Sequence, residues 1–323
     1  MKKENDLGRD EIGALVWRTA LPSMLAQFVS VLYSIVDRMY IGHIAGVGET
    51  ALAGVGVCGP VVTMVGSAAV WISWGASPLM GIRMGEGRPE EARRILRTGF
   101  CMLLAFSLAM MALVIPLREP MLRFFGASDA TYPYADSYLS VYMLGSVFMM
   151  VSLGMNGFIN AQGFANRGML TVVIGAVVNI ALDPLFIFVL DMGVQGAALA
   201  TVLSQLVSAV WVVRFLLGKR TLFRLELKRM RPQAKLIGKI TSLGISGFIM
   251  GFTSSAVQVA CNAMLSQHGG DLFVAVMTVI NSIREVTYTP VNGVTSAAAP
   301  FPWAASRWSA STTAHRNISA CAA

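Results

Sequence analysis

Long apolar runs recur along the chain, and short polar segments separate them. Each run has about the 20 residues that an α-helix needs to cross the hydrocarbon core of a bilayer. The predicted spans are residues 12–41, 51–81, 98–117, 136–160, 169–190, 195–217, 240–265 and 272–293. Only helices and closed barrels satisfy every backbone polar group in lipid, and these runs are far longer than barrel strands. The pattern therefore predicts an all-α integral membrane protein.

The composition agrees with a membrane protein and argues against other classes. Hydrophobic residues make up 55% of the chain and charged residues 13%, about half the charged fraction of soluble proteins. The net charge of +8 does not indicate nucleic-acid binding, because the basic residues lie in short loops between apolar runs. The four cysteines show no C-x-x-C spacing, so neither a disulfide framework nor a zinc site is indicated. We expect contact with membrane lipid and none with nucleic acid.

The distribution of Lys and Arg between the loops predicts the orientation of the chain. Basic residues occur in segments 2–9, 83–97 and 219–239, whereas segments 44–50 and 191–195 contain none. Cytoplasmic loops retain positive charge. We therefore expect a multi-pass protein of the cell membrane with a cytoplasmic amino terminus.

A weak internal repeat suggests how the spans are grouped. Residues 51–55, Ala-Leu-Ala-Gly-Val, align with residues 275–279, Ala-Val-Met-Thr-Val, and at the same offset Gly46 aligns with Gly270. Parallel repeats joined by a linker are a transporter architecture. The repeat thus predicts one lobe followed by the beginning of a second.

The expected domains follow from this grouping. Residues 1–217 form a six-helix lobe, residues 218–239 a basic cytoplasmic linker, and residues 240–296 the first two helices of a second lobe. Residues 297–323 lose the membrane-spanning character and become rich in Ala, Ser, Thr, Trp and Arg. We interpret them as an out-of-frame sequence that follows a frameshift near residues 297–304, with a disordered polar tail as the alternative.

Two acids inside the spans are the strongest candidates for function. A charge at mid-membrane costs about 2.5–3.5 kcal/mol on insertion scales, so Asp37 and Asp183 should face the bundle interior or a wet cavity. Asn179 precedes Asp183 by one turn and shares its helix face. Pro184 follows and removes a backbone donor, which frees a carbonyl as an ion ligand or only bends the helix.

Two further polar residues complete the candidate set. Asn156 on the fourth span and Thr201 on the sixth offer an amide and a hydroxyl, so that the five side chains together could supply the oxygens that a proton or small cation needs. Taken alone, Asn156 and Thr201 are more typical of hydrogen bonds between helices. Asp37, next to Arg38 near the outer end of its span, could instead snorkel to the interface.

Sequence motifs for catalysis are absent. The chain has no G-x-x-x-x-G-K-[ST] loop, no G-x-S-x-G elbow and no metal-ligand spacing among its three histidines. We therefore expect no enzyme activity, no cofactor and no bound metal other than a coupling ion. Transport driven by an ion gradient is the interpretation that remains.

Several segments together resemble the multidrug and toxic compound extrusion (MATE) family. The resemblance covers residues 7–296, and its most specific element is Asn179-x-x-x-Asp183-Pro184. Its other elements are residues 21–37, 40–42, 81–87 and 196–201. The sequence departs from the family at Asn160, where Arg is common.

The resemblance implies a function and a site. It implies an antiporter, coupled to H⁺ or Na⁺, that exports organic cations or drugs, and a chain cut short after its eighth helix. The implied cation site comprises Asp37, Asn156, Asn179, Asp183 and Thr201. Two alternatives stay open. A lipid-linked oligosaccharide flippase would need cationic side chains in its cavity, and a non-transporting scaffold would not need Asp183.

Overall fold

A computed structural model describes residues 12–218, 221–226 and 233–298. The interpretation of the tail concerns residues 297–323, of which residues 299–323 lie outside the described part of the chain, as do residues 1–11 and parts of the linker.

The described residues form seven helices and contain no strand. The helices are α1 Ile12–Gly42, α2 Gly48–Gly85, α3 Pro89–Phe124, α4 Tyr132–Ala161, α5 Ala165–Pro184, α6 Gly193–Leu217 and α7 Ala234–Ala298. Each is long and apolar enough to cross a membrane. The predicted all-α membrane fold is therefore confirmed.

The last helix, α7, is folded back on itself, which explains why eight spans were predicted. Its Gly270 is non-helical, with φ 69° and ψ −169°. Asn262 Nδ2 donates to the Gly56 carbonyl at 3.2 Å, and the Thr278 hydroxyl also faces Gly56. In an unbroken helix Asn262 and Thr278 would be about 24 Å apart, so the chain reverses at Gly270. The two arms, residues 234–269 and 271–298, correspond to the seventh and eighth predicted spans.

The aligned glycines of the internal repeat occupy matching turns. Gly46 joins α1 to α2 with φ 77°, and Gly270 joins the two arms of α7 with φ 69°. Both values lie in the left-handed region, which residues with a Cβ adopt only at a cost in conformational energy. The repeat therefore marks a shared local conformation, while the division of the chain into lobes stays a prediction.

The helix α3 extends beyond its predicted span at both ends. It begins at Pro89, so that Arg93, Arg94 and Arg97 lie on the helix rather than in a loop. Arg93 pairs with Glu90 at 2.7 Å, one turn away. Charged side chains are solvated beyond the hydrocarbon core, so hydrophobicity marks the lipid-spanning part of a helix and not its end.

The basic segments that connect the helices lie at one end of the bundle. Arg97 Nη1 lies 3.1 Å from Glu226 Oε2 in the linker, and the Phe223 amide donates to Gln162 Oε1 at 3.0 Å. The described linker residues 221–226 thus pack on the ends of α3 and α4. The cytoplasmic location of this end is a prediction from the loop charges.

Candidate functional site

Asp183 lies in a polar cluster between α5 and α6. Asn179 Nδ2 donates to Asp183 Oδ1 at 3.1 Å and also lies 3.4 Å from Thr201 Oγ1. Asp183 and Asn179 have no exposed surface. Protein, and not lipid, therefore surrounds the acid, and three of the five candidate residues form one cluster.

The backbone next to Asp183 is distorted. Regular α-helix ends at Pro184, and residues Leu185–Val189 form a π-helical turn in which the Leu190 amide donates to the Leu185 carbonyl at 2.9 Å. Proline has no N–H, so the Ile180 carbonyl loses its usual i+4 donor. Single π-turns inside helices are frequent at functional sites. The distortion follows directly from the proline that the sequence places after the acid.

Asp37 on α1 lies beside this cluster. It is 8% exposed, α1 packs against α5, and Asp37 lines the same cavity as Thr201, which contacts Asn179 of the cluster. A carboxylate that snorkels to the interface would be exposed, so the snorkelling interpretation of Asp37 does not fit the structure.

Three acceptor oxygens of the cluster have no hydrogen-bond partner in the described structure. They are Asp37 Oδ1, Asn179 Oδ1 and Asp183 Oδ2, and all are buried. A buried polar atom left unsatisfied costs about 1–3 kcal/mol. Oxygens of this kind suit a proton, a water molecule or a small hard cation.

Asn156, the fifth candidate residue, is not brought to this cluster. Its Nδ2 donates to the Gly168 carbonyl at 3.2 Å, and Gly168 precedes Asn179 by eleven residues, which is about 16 Å along α5. Asn156 Oδ1 and Asn160 Oδ1 face Gly168 together. Another polar residue of α4, Ser152, contacts the cavity wall instead, because its hydroxyl donates to Gln205 Oε1 at 2.6 Å.

A cavity of about 180 Å³ opens beside Asp37. Its wall includes Asp37 and Thr201 together with polar side chains that the sequence did not single out. They include Tyr33, Tyr138, Tyr142, Gln205, Gln258 and Asn281. Their hydroxyl and amide groups lie in apolar spans, and this pattern could have identified them from the sequence. Each group taken alone is equally typical of a hydrogen bond between packed helices. The cavity is smaller than the 300–1,000 Å³ of typical drug-sized sites.

Arg38 also lies on the cavity wall and contacts the second arm of α7. Its Nη1 donates to Ser282 Oγ and lies 3.6 Å from Glu285 Oε2. The sequence assigned no role to Glu285. The contact joins α1 to α7 one residue after Asp37.

Comparison with known proteins identifies relatives of this chain. The MatE family model matches residues 22–185, just over half of the chain. The multidrug export protein MepA of Staphylococcus aureus is 22% identical over 250 residues, which cover 77% of this chain and 55% of the relative. A FAD transporter of Shewanella oneidensis is 23% identical over 310 residues, which cover 93% of this chain and 67% of the relative.

A solved structure shares the arrangement of helices. The MATE multidrug transporter DinF-BH has a TM-score of 0.88 and 30% identity, and the match covers 94% of this chain and 68% of that one. The chain thus spans 55% of the length of MepA and about two thirds of the transporter structure. Because the family model spans half of the chain and the fold agrees over nearly all of it, this chain belongs to the MatE family of multi-pass membrane transporters.

Proposed function

We propose that this chain acts in cation-coupled antiport, in which the entry of H⁺ or Na⁺ drives the export of organic cations or drugs. The observation that carries the proposal is the position of Asp37. It lies on the wall of the cavity, and Thr201, which contacts Asn179 in the Asp183 cluster, lies on the same wall. The candidate cation site and the candidate cargo site therefore meet at a wall that carries the Asp37 carboxylate.

Antiport requires that two ligands favour different states of the protein. A cation bound at the cluster would reduce the negative charge around Asp37. A cationic cargo in the cavity would be attracted by that same negative charge. Thr201 strengthens the connection, because it contacts Asn179 and also lies on the cavity wall. If each ligand stabilises its own arrangement of helices, the binding of one opposes the binding of the other.

The choice of cargo follows from the relatives and from the charges on the wall. MepA is named for multidrug export, and DinF-BH is named as a multidrug transporter. A lipid-linked pyrophosphate would need cationic side chains in the cavity. Among the described residues, Arg38 is the one basic side chain on the wall, and Glu285 pairs with it. The cavity therefore suits an organic cation better than a flippase cargo.

The test is efflux of ethidium from vesicles that contain a complete transporter of the family whose amino-terminal lobe is that of this chain, under an imposed proton gradient and, separately, a sodium gradient. We expect efflux under at least one gradient and none from Asp183→Asn. Asp129→Asn is the matched control, because the Asp129 side chain is 98% exposed and lies far along the chain from the cluster. The absence of efflux from the unmodified protein under both gradients, or normal efflux from Asp183→Asn, contradicts the proposal.

A further inference from the structure

The cavity wall carries two charged side chains within the described part of the chain. Asp37 and Arg38 are neighbours in sequence, have opposite charges and both line the cavity. Taken alone, they would leave the wall with no net charge. A cavity of that kind would attract an organic cation and repel it about equally.

Glu285 changes this balance from outside the cavity. Its carboxylate lies 3.6 Å from Arg38 Nη1, but it is not among the residues that line the cavity. Ser282, one turn before Glu285, accepts a hydrogen bond from the same guanidinium and donates its own to the Thr278 carbonyl at 3.0 Å. Arg38 is thus tied to the second arm of α7, with an acid as its partner there.

We propose that Glu285 determines the charge preference of the cavity by neutralising Arg38, so that the negative charge of Asp37 dominates the wall and selects cations. The proposal rests on the proposed function and deepens it, because it names the pair of residues that makes an organic cation the favoured cargo. Glu285 acts through Arg38 and does not touch the ligand itself. Its role is to set specificity.

The expected size of the effect follows from the exposure of the pair. The side chains of Arg38 and Glu285 are 25% and 44% exposed, so protein does not enclose the pair, and water that enters the open cavity would screen part of the interaction. Charges a few ångströms apart near a protein surface still interact by more than thermal energy. We expect removal of either charge to change the affinity for a charged ligand by about three- to tenfold.

The chemistry of the wall indicates a suitable probe. Tyr33, Tyr138 and Tyr142 line the cavity together with Asp37, and aromatic rings with an acid nearby suit quaternary ammonium groups. Tetramethylammonium and trimethylglycine are small enough for a cavity of about 180 Å³. Both carry a trimethylammonium group, but the first is a cation and the second a zwitterion. The ratio of their affinities therefore reports the preference for positive charge.

The experiment measures both affinities by isothermal titration calorimetry on the purified full chain. Glu285→Gln should lower the ratio of tetramethylammonium to trimethylglycine affinity, because Arg38 is then unneutralised. Arg38→Gln should raise the ratio, because Asp37 then has no opposing charge on the wall. The double variant should return the ratio close to that of the unmodified protein. Effects of opposite sign distinguish this role from a purely structural one, since a broken structural contact would weaken binding in both variants.

Matched controls remove the same charges elsewhere. Arg284→Gln and Glu49→Gln alter exposed residues that do not line the cavity, and should leave the ratio unchanged. The inference would be overturned if the affinity ratio moved in the same direction in Arg38→Gln and Glu285→Gln, or if it did not move in either variant. Failure of the unmodified protein to bind either ligand would also overturn it. Opposite shifts without gradient-driven efflux would support the inference and refute the transport proposal.

Discussion

Asn179 donates a hydrogen bond to Asp183 one helical turn further along α5, at 3.1 Å, and neither residue is exposed. The same amide group reaches Thr201 on α6 at 3.4 Å. Asn179 therefore holds the acid and the hydroxyl in one cluster, and the predictions about the site begin with it.

Asn179→Ala should disrupt the cluster, because Asp183 Oδ1 then loses its side-chain donor inside the bundle. We expect a loss of about 1–3 kcal/mol in the free energy of unfolding. If the cluster binds the coupling ion as proposed, Na⁺ or acid pH should stabilise the unmodified protein, and this variant should lose that effect. Thermal unfolding in detergent, with and without the ion, measures both effects.

Asn156→Ala is the matched comparison for that variant. Asn156 contacts Gly168 rather than the cluster, so its removal should leave the ion-dependent stabilisation intact. Equal loss of the ion effect in Asn156→Ala and Asn179→Ala would show that Asn156 belongs to the site after all.

Asn262 replaces a hydrogen bond that Pro60 removes from α2. Pro60 has no N–H, so the Gly56 carbonyl lacks its helical donor, and Asn262 Nδ2 donates to that carbonyl instead, at 3.2 Å. Asn262→Ala should cost about 1–3 kcal/mol in the free energy of unfolding.

The double variant Pro60→Ala, Asn262→Ala tests that explanation. Alanine at position 60 restores an amide donor, so Asn262→Ala should cost less in the Pro60→Ala background. A double-mutant cycle from denaturation midpoints gives the coupling free energy. Additive effects would mean that the two residues act independently.

Gly270→Ala should destabilise the reversal between the two arms of α7. At φ 69° and ψ −169° the backbone lies in a region that is essentially restricted to glycine, and a strained residue costs about 1–3 kcal/mol. Gly238→Ala is the control, since Gly238 lies near the start of the same helix and an added Cβ there would meet open space. We expect that control to be neutral or stabilising. Similar unfolding midpoints for the two variants would contradict the prediction.

The orientation predicted from the loop charges can be tested with single cysteines in a background that lacks the native ones. His43→Cys and Asp129→Cys should react with an impermeant thiol reagent on intact cells, and Arg88→Cys should not. All three positions are exposed. Gly48 is unsuitable for this test, because a Cβ there would collide with the Gly42 carbonyl. Labelling at position 88 without labelling at 43 and 129 would reverse the orientation.

Hydrophobicity along the chain determined most of the fold. Each apolar run became a membrane-length helix, because lipid offers no partner for an unpaired backbone group and every residue of a span must satisfy its hydrogen bonds within the helix. The two arms of α7 were predicted as separate spans for the same reason, and the repeat pointed to the turn at Gly270. Local spacing also placed Asn179 and Asp183 on one face, since residues four apart are neighbours on any helix.

The tertiary structure alone decided which helices meet and which faces they present to one another. Thr201 joined the cluster and Asn156 did not, although the sequence treats them alike as single polar groups in apolar spans. The ion pair of Arg38 with Glu285 joins residues 247 positions apart. A polar group in a span must find a partner or a cavity, but its sequence position does not say which. The choice depends on how the helices pack, and that is a property of the whole bundle.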